Sequence, residues 1–243
     1  MIIKIDHLSF SSYNFHDDVN DLKKIGYNIS HLNESLINLE NKKLFLRNYH
    51  ETQKFCLLAI DDQISVEILE YDEKYNSDQY MIPHIKISEK LELNFLNDSN
   101  FEVHHVKQDN EPGLNPFRID IHTNNLEKSQ KFWGVLGFKI KKKISSDILL
   151  GFNSPFSKQD FEIKLILNKN KKSEHFLDEI GLNCIAFIST SIKNDKKMLE
   201  LEDTVTSDIM QLKIGEKELE IFFCRNITGE IVEIIQPKNN SKL

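Results

Sequence analysis

The amino-acid sequence predicts a mixed α+β fold built from repeated copies of one strand–helix unit. Three observations carry that expectation. Residues 117–138, FRIDIHTNNLEKSQKFWGVLGF, read as a strand, a turn, a helix and the start of a second strand: Ile119 and Ile121 alternate with Arg118, Asp120 and His122, and Leu126, Trp133 and Leu136 then share one helical face. Residues 7–27, HLSFSSYNFHDDVNDLKKIGY, repeat the pattern, with Phe15, Val19, Leu22 and Ile25 as the helical stripe. The spacing is equal: Gly26 follows His7 by 19 residues and Gly137 follows Arg118 by 19, each glycine placed to end its helix in a left-handed turn.

Taken in order, residues 2–10 form a strand with Ile3, Ile5, Leu8 and Phe10 apolar. Asn14 caps the first helix, whose first turn carries Asp17 and Asp18 and whose last carries Lys23 and Lys24, as the helix dipole favours. Strands are expected over 27–32, 42–49, 54–60 and 65–71, then a polar connector over 72–80. Residues 81–88, MIPHIKIS, resemble the first strand, and 101–106 form another; together 81–108 look like a shortened copy of the unit without its helix. Two prolines and a glycine mark 109–116 as a linker. The second half follows with Asn124 or Asn125 capping the helix 126–136, strands over 138–143, 148–152 and 161–167, and a polar connector. Its last copy has a strand over 183–189, a helix capped by Ser191, and strands over 210–214, 218–223 and 231–235.

Composition excludes several classes. A net charge of −7 and only short lysine runs, at 141–143 and 171–172, argue against a nucleic-acid partner. No apolar run is long enough to span a membrane, and no signal peptide precedes the first strand. Cys56, Cys184 and Cys224 are scattered and odd in number, which fits a reducing cytoplasm better than a disulfide framework.

The stretches IDHLSF, LKKIGY, SVEILEY, FWGVLGF, NCIAF and RNITGEIVEIIQP, in this order and spacing, resemble the vicinal oxygen chelate superfamily, which contains glyoxalase I, bleomycin-resistance proteins, methylmalonyl-CoA epimerase and extradiol dioxygenases. They cover both ends and the middle of the chain, and residues 81–115 fit poorly. The resemblance implies repeated βαβββ modules pairing into curved mixed sheets, with a ligand cup in each half, 1–115 and 116–243. It also implies a divalent metal (Zn, Fe, Mn, Ni or Co), held by residues of the first and last strands of paired modules. Carried onto this sequence, those positions are His7, Glu67, His84 and Glu102 in the N-terminal half and Arg118, Glu162, Cys184 and Glu233 in the C-terminal half.

Side-chain direction selects among them. Leu8 and Phe10, Val66 and Ile68, and Ile85 and Ile87 are the packing residues of their strands, so His7, Glu67 and His84 point to the opposite face. His7, Glu67 and His84 are therefore the expected metal ligands, with Glu102 or His104 as a fourth group, and Glu67, Glu102 and His104 as candidate bases. Arginine cannot ligate a cation, so Arg118, Asp120 and His122, which share a strand face, are expected to bind an anionic ligand group or to serve in acid–base chemistry, and Glu233 is expected to face the ligand as a functional carboxylate. An internal Arg118–Asp120 salt bridge is the plainer alternative.

Three functions stay open at this level. One is an enzyme, a metal-dependent lyase, isomerase or dioxygenase acting on a small oxygen-rich ligand. The second is a metal-free binding or sequestering protein of the bleomycin-resistance type. The third is a partner-binding protein whose cup is filled by side chains. The shortened second module implies an incomplete cup or pairing with a second copy of the chain in a homodimer.

Overall fold

The computed structural model describes residues 1–76, 80–88, 101–106, 113–154, 156, 160–172, 174–215 and 217–238. The first module comprises β1 (Ile2–Ser11), α1 (Phe15–Lys24), β2 (Asn28–Ile37), a 3-10 helix (Glu40–Phe45), β3 (Thr52–Ala59) and β4 (Ser65–Glu70). β5 (Met81–Ser88) and β6 (Glu102–Val106) follow. The third module is β7 (Pro116–Thr123), α2 (Leu126–Val135), β8 (Lys139–Lys143), β9 (Asp147–Phe152) and β10 (Phe161–Leu167). The fourth is β11 (Gly181–Ser189), α3 (Ile192–Glu200), β12 (Val205–Thr206), β13 (Met210–Ile214), β14 (Lys217–Arg225) and β15 (Ile231–Pro237).

The repeat is visible in the strand order. In the first, third and fourth modules the first strand lies beside the last, in parallel, and the hairpin strands continue outward: β1-β4-β3-β2, β7-β10-β9-β8 and β11-β15-β14-β13. Two curved mixed sheets result. In one, β1 pairs antiparallel with β11 and joins the first and fourth modules; in the other, β5 pairs antiparallel with β7 and joins the β5–β6 pair to the third module. Each sheet thus draws one module from residues 1–115 and one from 116–243, and the modules pair across the halves rather than within them.

Local chemistry explains the elements. Gly26 and Gly137 end α1 and α2 with φ of 102° and 96°, a left-handed conformation that glycine adopts without a side-chain clash. Asn125 caps α2 by accepting from the Lys128 N–H. The apolar stripes of both helices, Phe15, Val19 and Leu22 and Phe132, Trp133 and Leu136, share one core with Leu8, Phe10, Val66 and Ile68 of the first sheet and Ile119, Ile121 and Ile163 of the second. Trp133 is fully buried there, its ring 6.4 Å from Phe187 of the other sheet.

The strand expected over 42–49 is instead the 3-10 helix Glu40–Phe45. Its tighter winding stacks residues three apart, which turns Lys42 and Phe45 inward together, against Phe223. Residues 109–112 of the expected linker, and residues 89–100 between β5 and β6, where the sequence predicts no helix, lie outside the described residues. Among those described, no helix is long and apolar enough to cross a membrane.

Candidate metal centre

Strand register gathers three ligating side chains on the concave face of the β1–β11 sheet. His7 stands opposite Ala186, which stands opposite Glu233; two residues along, Ser9 stands opposite both Cys184 and Glu67. Paired residues project to the same side, and so do residues two apart on one strand. His7, Glu67, Cys184 and Glu233 therefore share one face. The intervening Leu8, Val66, Ile185 and Ile234 fill the core behind it.

His7 Nε2 lies 3.6 Å from Glu67 Oε2 and 3.5 Å from Glu233 Oε2, and all three ligand atoms fall within 4.8 Å of one another. All three residues are buried, and Nε2 has no hydrogen-bond partner. On the other side of the ring, Nδ1 lies 3.1 Å from Asp6 Oδ2. A proton on Nδ1 is thus donated to the Asp6 carboxylate, and Nε2 is left facing the two glutamates. Burial disfavours a charged imidazole, but Glu67, Asp6 and Glu233 outweigh it and hold His7 well above the usual histidine range. The cluster attracts positive charge.

The donor set fits a divalent metal. The edge of a tetrahedron with bonds of about 2.1 Å is about 3.4 Å, close to the two separations between His7 and the glutamates, and one imidazole with two carboxylates suits Mn, Fe, Co, Ni or Zn. The fourth member of the face, Cys184, is a buried thiol pushed well up by burial and by the carboxylates of Glu233 and Glu67, with the Lys42 ammonium pulling the other way. It stands in the core with Tyr71 as a neutral group. The cluster opens into a cavity of about 680 Å³ with apolar walls, including Leu36, Phe55, Leu57, Leu212 and Ile221. That is a size typical of small-molecule sites.

The structure does not bring His84 to His7 and Glu67. β5 pairs with β7, which sets His84 opposite Arg118 in the six-stranded sheet. There His84 Nε2 lies 3.1 Å from Asp120 Oδ2 and Nδ1 lies 3.1 Å from His104 Nε2, while Arg118 Nε donates to Asp120 Oδ1 at 2.7 Å. Burial, with Arg118 acting in the same sense, holds His84 below the usual histidine range against the pull of Asp120. The guanidinium beside His84 repels a cation, so His84 is corrected from ligand to member of a self-neutralised cluster. Glu102 and His104, expected as a fourth ligand or a base beside the metal, lie on β6 of this same second sheet and are exposed. Glu162 pairs with Lys141 at 3.1 Å. His122 keeps its place on the strand face of Arg118 and Asp120, half-buried with Nδ1 unpaired. Glu233, expected to contact a ligand with that group, stands with His7 and Glu67 instead. Lys42, read as part of a strand, lines the same cavity.

Comparison with known proteins supports the architecture. No protein-family model matches the sequence, and no curated protein matches it. Among solved structures, glyoxalase I from Zea mays aligns over 96% of this chain and 92% of its own, with 11% identity and a TM-score of 0.58. A mutant of the same maize protein aligns over 96% and 93%, with 11% identity and a TM-score of 0.60. Identities this low speak for the fold alone. The strand topology, the curved mixed sheets and superposition over 96% of the chain together give this chain the fold of glyoxalase I.

Proposed function

We propose that the protein binds a divalent metal through His7, Glu67 and Glu233, and uses it to hold a small oxygen-rich ligand for a lyase, isomerase or dioxygenase reaction. One observation carries the reading. A buried imidazole nitrogen without a hydrogen-bond partner and two buried carboxylates converge at metal-ligand spacing on a cavity wall. The chemistry supplied by a metal there is Lewis-acid polarisation of a coordinated carbonyl or activation of oxygen.

The chain's own residues would do the rest. Asp6 orients the His7 ring. Glu67, buried beside His7, is a carboxylate within reach of a ligand seated in the cavity and is the candidate base for a proton on carbon. The apolar part of the wall, with Leu36, Phe55, Leu57 and Leu212, would bury the ligand's hydrocarbon part.

Elemental analysis of the purified protein, followed by calorimetric titration of chelator-stripped protein with manganese, cobalt, nickel and zinc, tests the reading. One equivalent bound at micromolar concentration is expected, and cobalt should give visible bands of a nitrogen–oxygen site. No uptake of any of the four metals would sink the metal-dependent reading and leave a metal-free binding protein in its place.

A further inference from the structure

The cavity wall holds a buried cation whose hydrogen bond and ring contact, among the described residues, are with neutral groups. Lys42 is 6% exposed, although its residue type is among the least often buried. Its Nζ donates to Gln53 Oε1 at 3.5 Å, the outer limit of a hydrogen bond, and lies 5.4 Å from the centroid of the Phe223 ring. It forms no ion pair with any described residue, whereas Lys54 and Lys24, at the surface, pair with Glu70 and Asp21. A buried ammonium normally meets a carboxylate, because desolvation is repaid only by an opposite charge. Lys42 faces a cavity, as does Gln53, and its charge reaches Cys184 beside the His7 cluster.

Backbone geometry makes the placement deliberate. An extended strand over 42–49 would alternate its side chains and let Lys42 swing toward solvent. The 3-10 helix Glu40–Phe45 eclipses Lys42 with Phe45, which is fully buried against Phe223. Phe45 thereby anchors the turn that aims the ammonium into the cavity.

We infer that Lys42 is the specificity residue of the cup, pairing with an anionic group (a carboxylate, phosphate or sulfonate) at one end of the ligand. The inference rests on the cup being a ligand site, as proposed above, but not on the metal. It narrows the ligand class to amphipathic anions. A negative group sits on Lys42 and Gln53, an apolar body lies against Leu36, Phe55, Leu57 and Leu212, and oxygens point to His7, Glu67 and Glu233. Neutral ligands would leave the ammonium buried without a direct ion pair among the described residues.

Two fluorescent probes that share an aromatic body test this. Anilinonaphthalene sulfonate carries an anionic group, and phenylnaphthylamine lacks it. Both are titrated into wild type, Lys42→Met and Lys42→Arg proteins. Loss of one buried charge-assisted contact is expected to weaken sulfonate binding about tenfold in Lys42→Met. The amine should bind that variant unchanged, and Lys42→Arg should hold the sulfonate within about twofold of wild type. If the methionine variant fails to fold, Lys42→Gln carries the same comparison. Sulfonate affinity unchanged in Lys42→Met, an equal loss for both probes, or a wild type that takes up no sulfonate overturns the inference. Manganese titration of the same proteins separates the two readings. A wild type that binds no manganese but keeps the Lys42-dependent sulfonate preference loses the metal and retains the anion anchor.

Discussion

The two sheets use one scaffold for opposite chemistry. In the β1–β11 sheet the first strands place His7 and Cys184 and the last strands place Glu67 and Glu233. In the β5–β7 sheet the equivalent positions hold His84 and Arg118, with Glu102 and Glu162 on the neighbouring strands. One set has two carboxylates against one imidazole and draws in positive charge. In the other set an arginine supplies the cation covalently, Asp120 answers it, and His84 is kept neutral. The lesson is that the repeated backbone provides a converging geometry, and that a single side chain, arginine or a small neutral residue, decides whether the place is open to a cation.

Four experiments probe that contrast. The largest effect is expected where the sheets meet. Trp133→Ala should cost about 3–5 kcal/mol, because the fully buried indole fills a core fed by both sheets. Metal affinity per folded molecule should not change. Thermal and denaturant melts with parallel manganese titration check this, and a variant that melts normally but loses metal would contradict the core role.

Next comes the contrast itself. His7→Ala or Glu233→Gln should weaken metal binding by about 100-fold or more, since each removes a direct ligand and the loss of a supporting residue alone costs up to about that much. His84→Ala should leave the titration as in wild type. Equal losses from His7→Ala and His84→Ala would show that the sheets are not chemically distinct.

A smaller effect belongs to the segment between the sheets. Lys171, between β10 and β11, donates to the Thr228 carbonyl at 3.0 Å and lies 4.3 Å from the Tyr80 ring centroid. Burial lowers its pKa from 10.5 to about 8, with Glu230 opposing. The folded chain then binds this proton more weakly than the unfolded chain, so the contribution of Lys171 to stability rises with pH between about 8 and 10.5. Relative to Lys171→Met, the wild type should gain about 1–2 kcal/mol across that window, the figure being reduced for partial exposure. Urea melts at both ends of the window measure it, and a constant difference would rule the effect out.

The smallest effect sharpens the second cluster. Arg118→Met removes a neighbour that holds His84 down and leaves Asp120, which pulls it up. The His84 ring should therefore titrate at higher pH in the variant, as read from the imidazole proton shifts. No move, or a downward one, would show that the Arg118 charge does not hold His84 down.

Much of this was legible from residue pattern. The alternation of Leu8 and Phe10 with His7, and of Val66 and Ile68 with Glu67, correctly assigned each strand's core and open faces. Both helix ends were marked by glycine, and Asn125 by its capping side chain. These are short-range signals, in which periodicity and backbone freedom act within a few residues. The 3-10 turn at Lys42 was not legible. Residues 42–49 carry strand-like apolar spacing, and only the packing of Phe45 on Phe223 tightens them into a helix.

What the sequence by itself determined was the inventory: four module starts, their faces, and a set of histidines, glutamates and one arginine at matched positions. The tertiary structure decided which starts meet. IDHLSF, MIPHIKIS, FRIDIHT and NCIAFIS are all first strands with one apolar and one mixed face, and nothing local in them names a partner. Choosing β11 for β1 and β7 for β5 depends on closing loops of well over a hundred residues in one case and a few tens in the other, and on burying the apolar stripes of α1 and α2 in the core shared by the two sheets. That long-range choice moved Glu233 to His7 and Glu67, and left His84 beside Arg118.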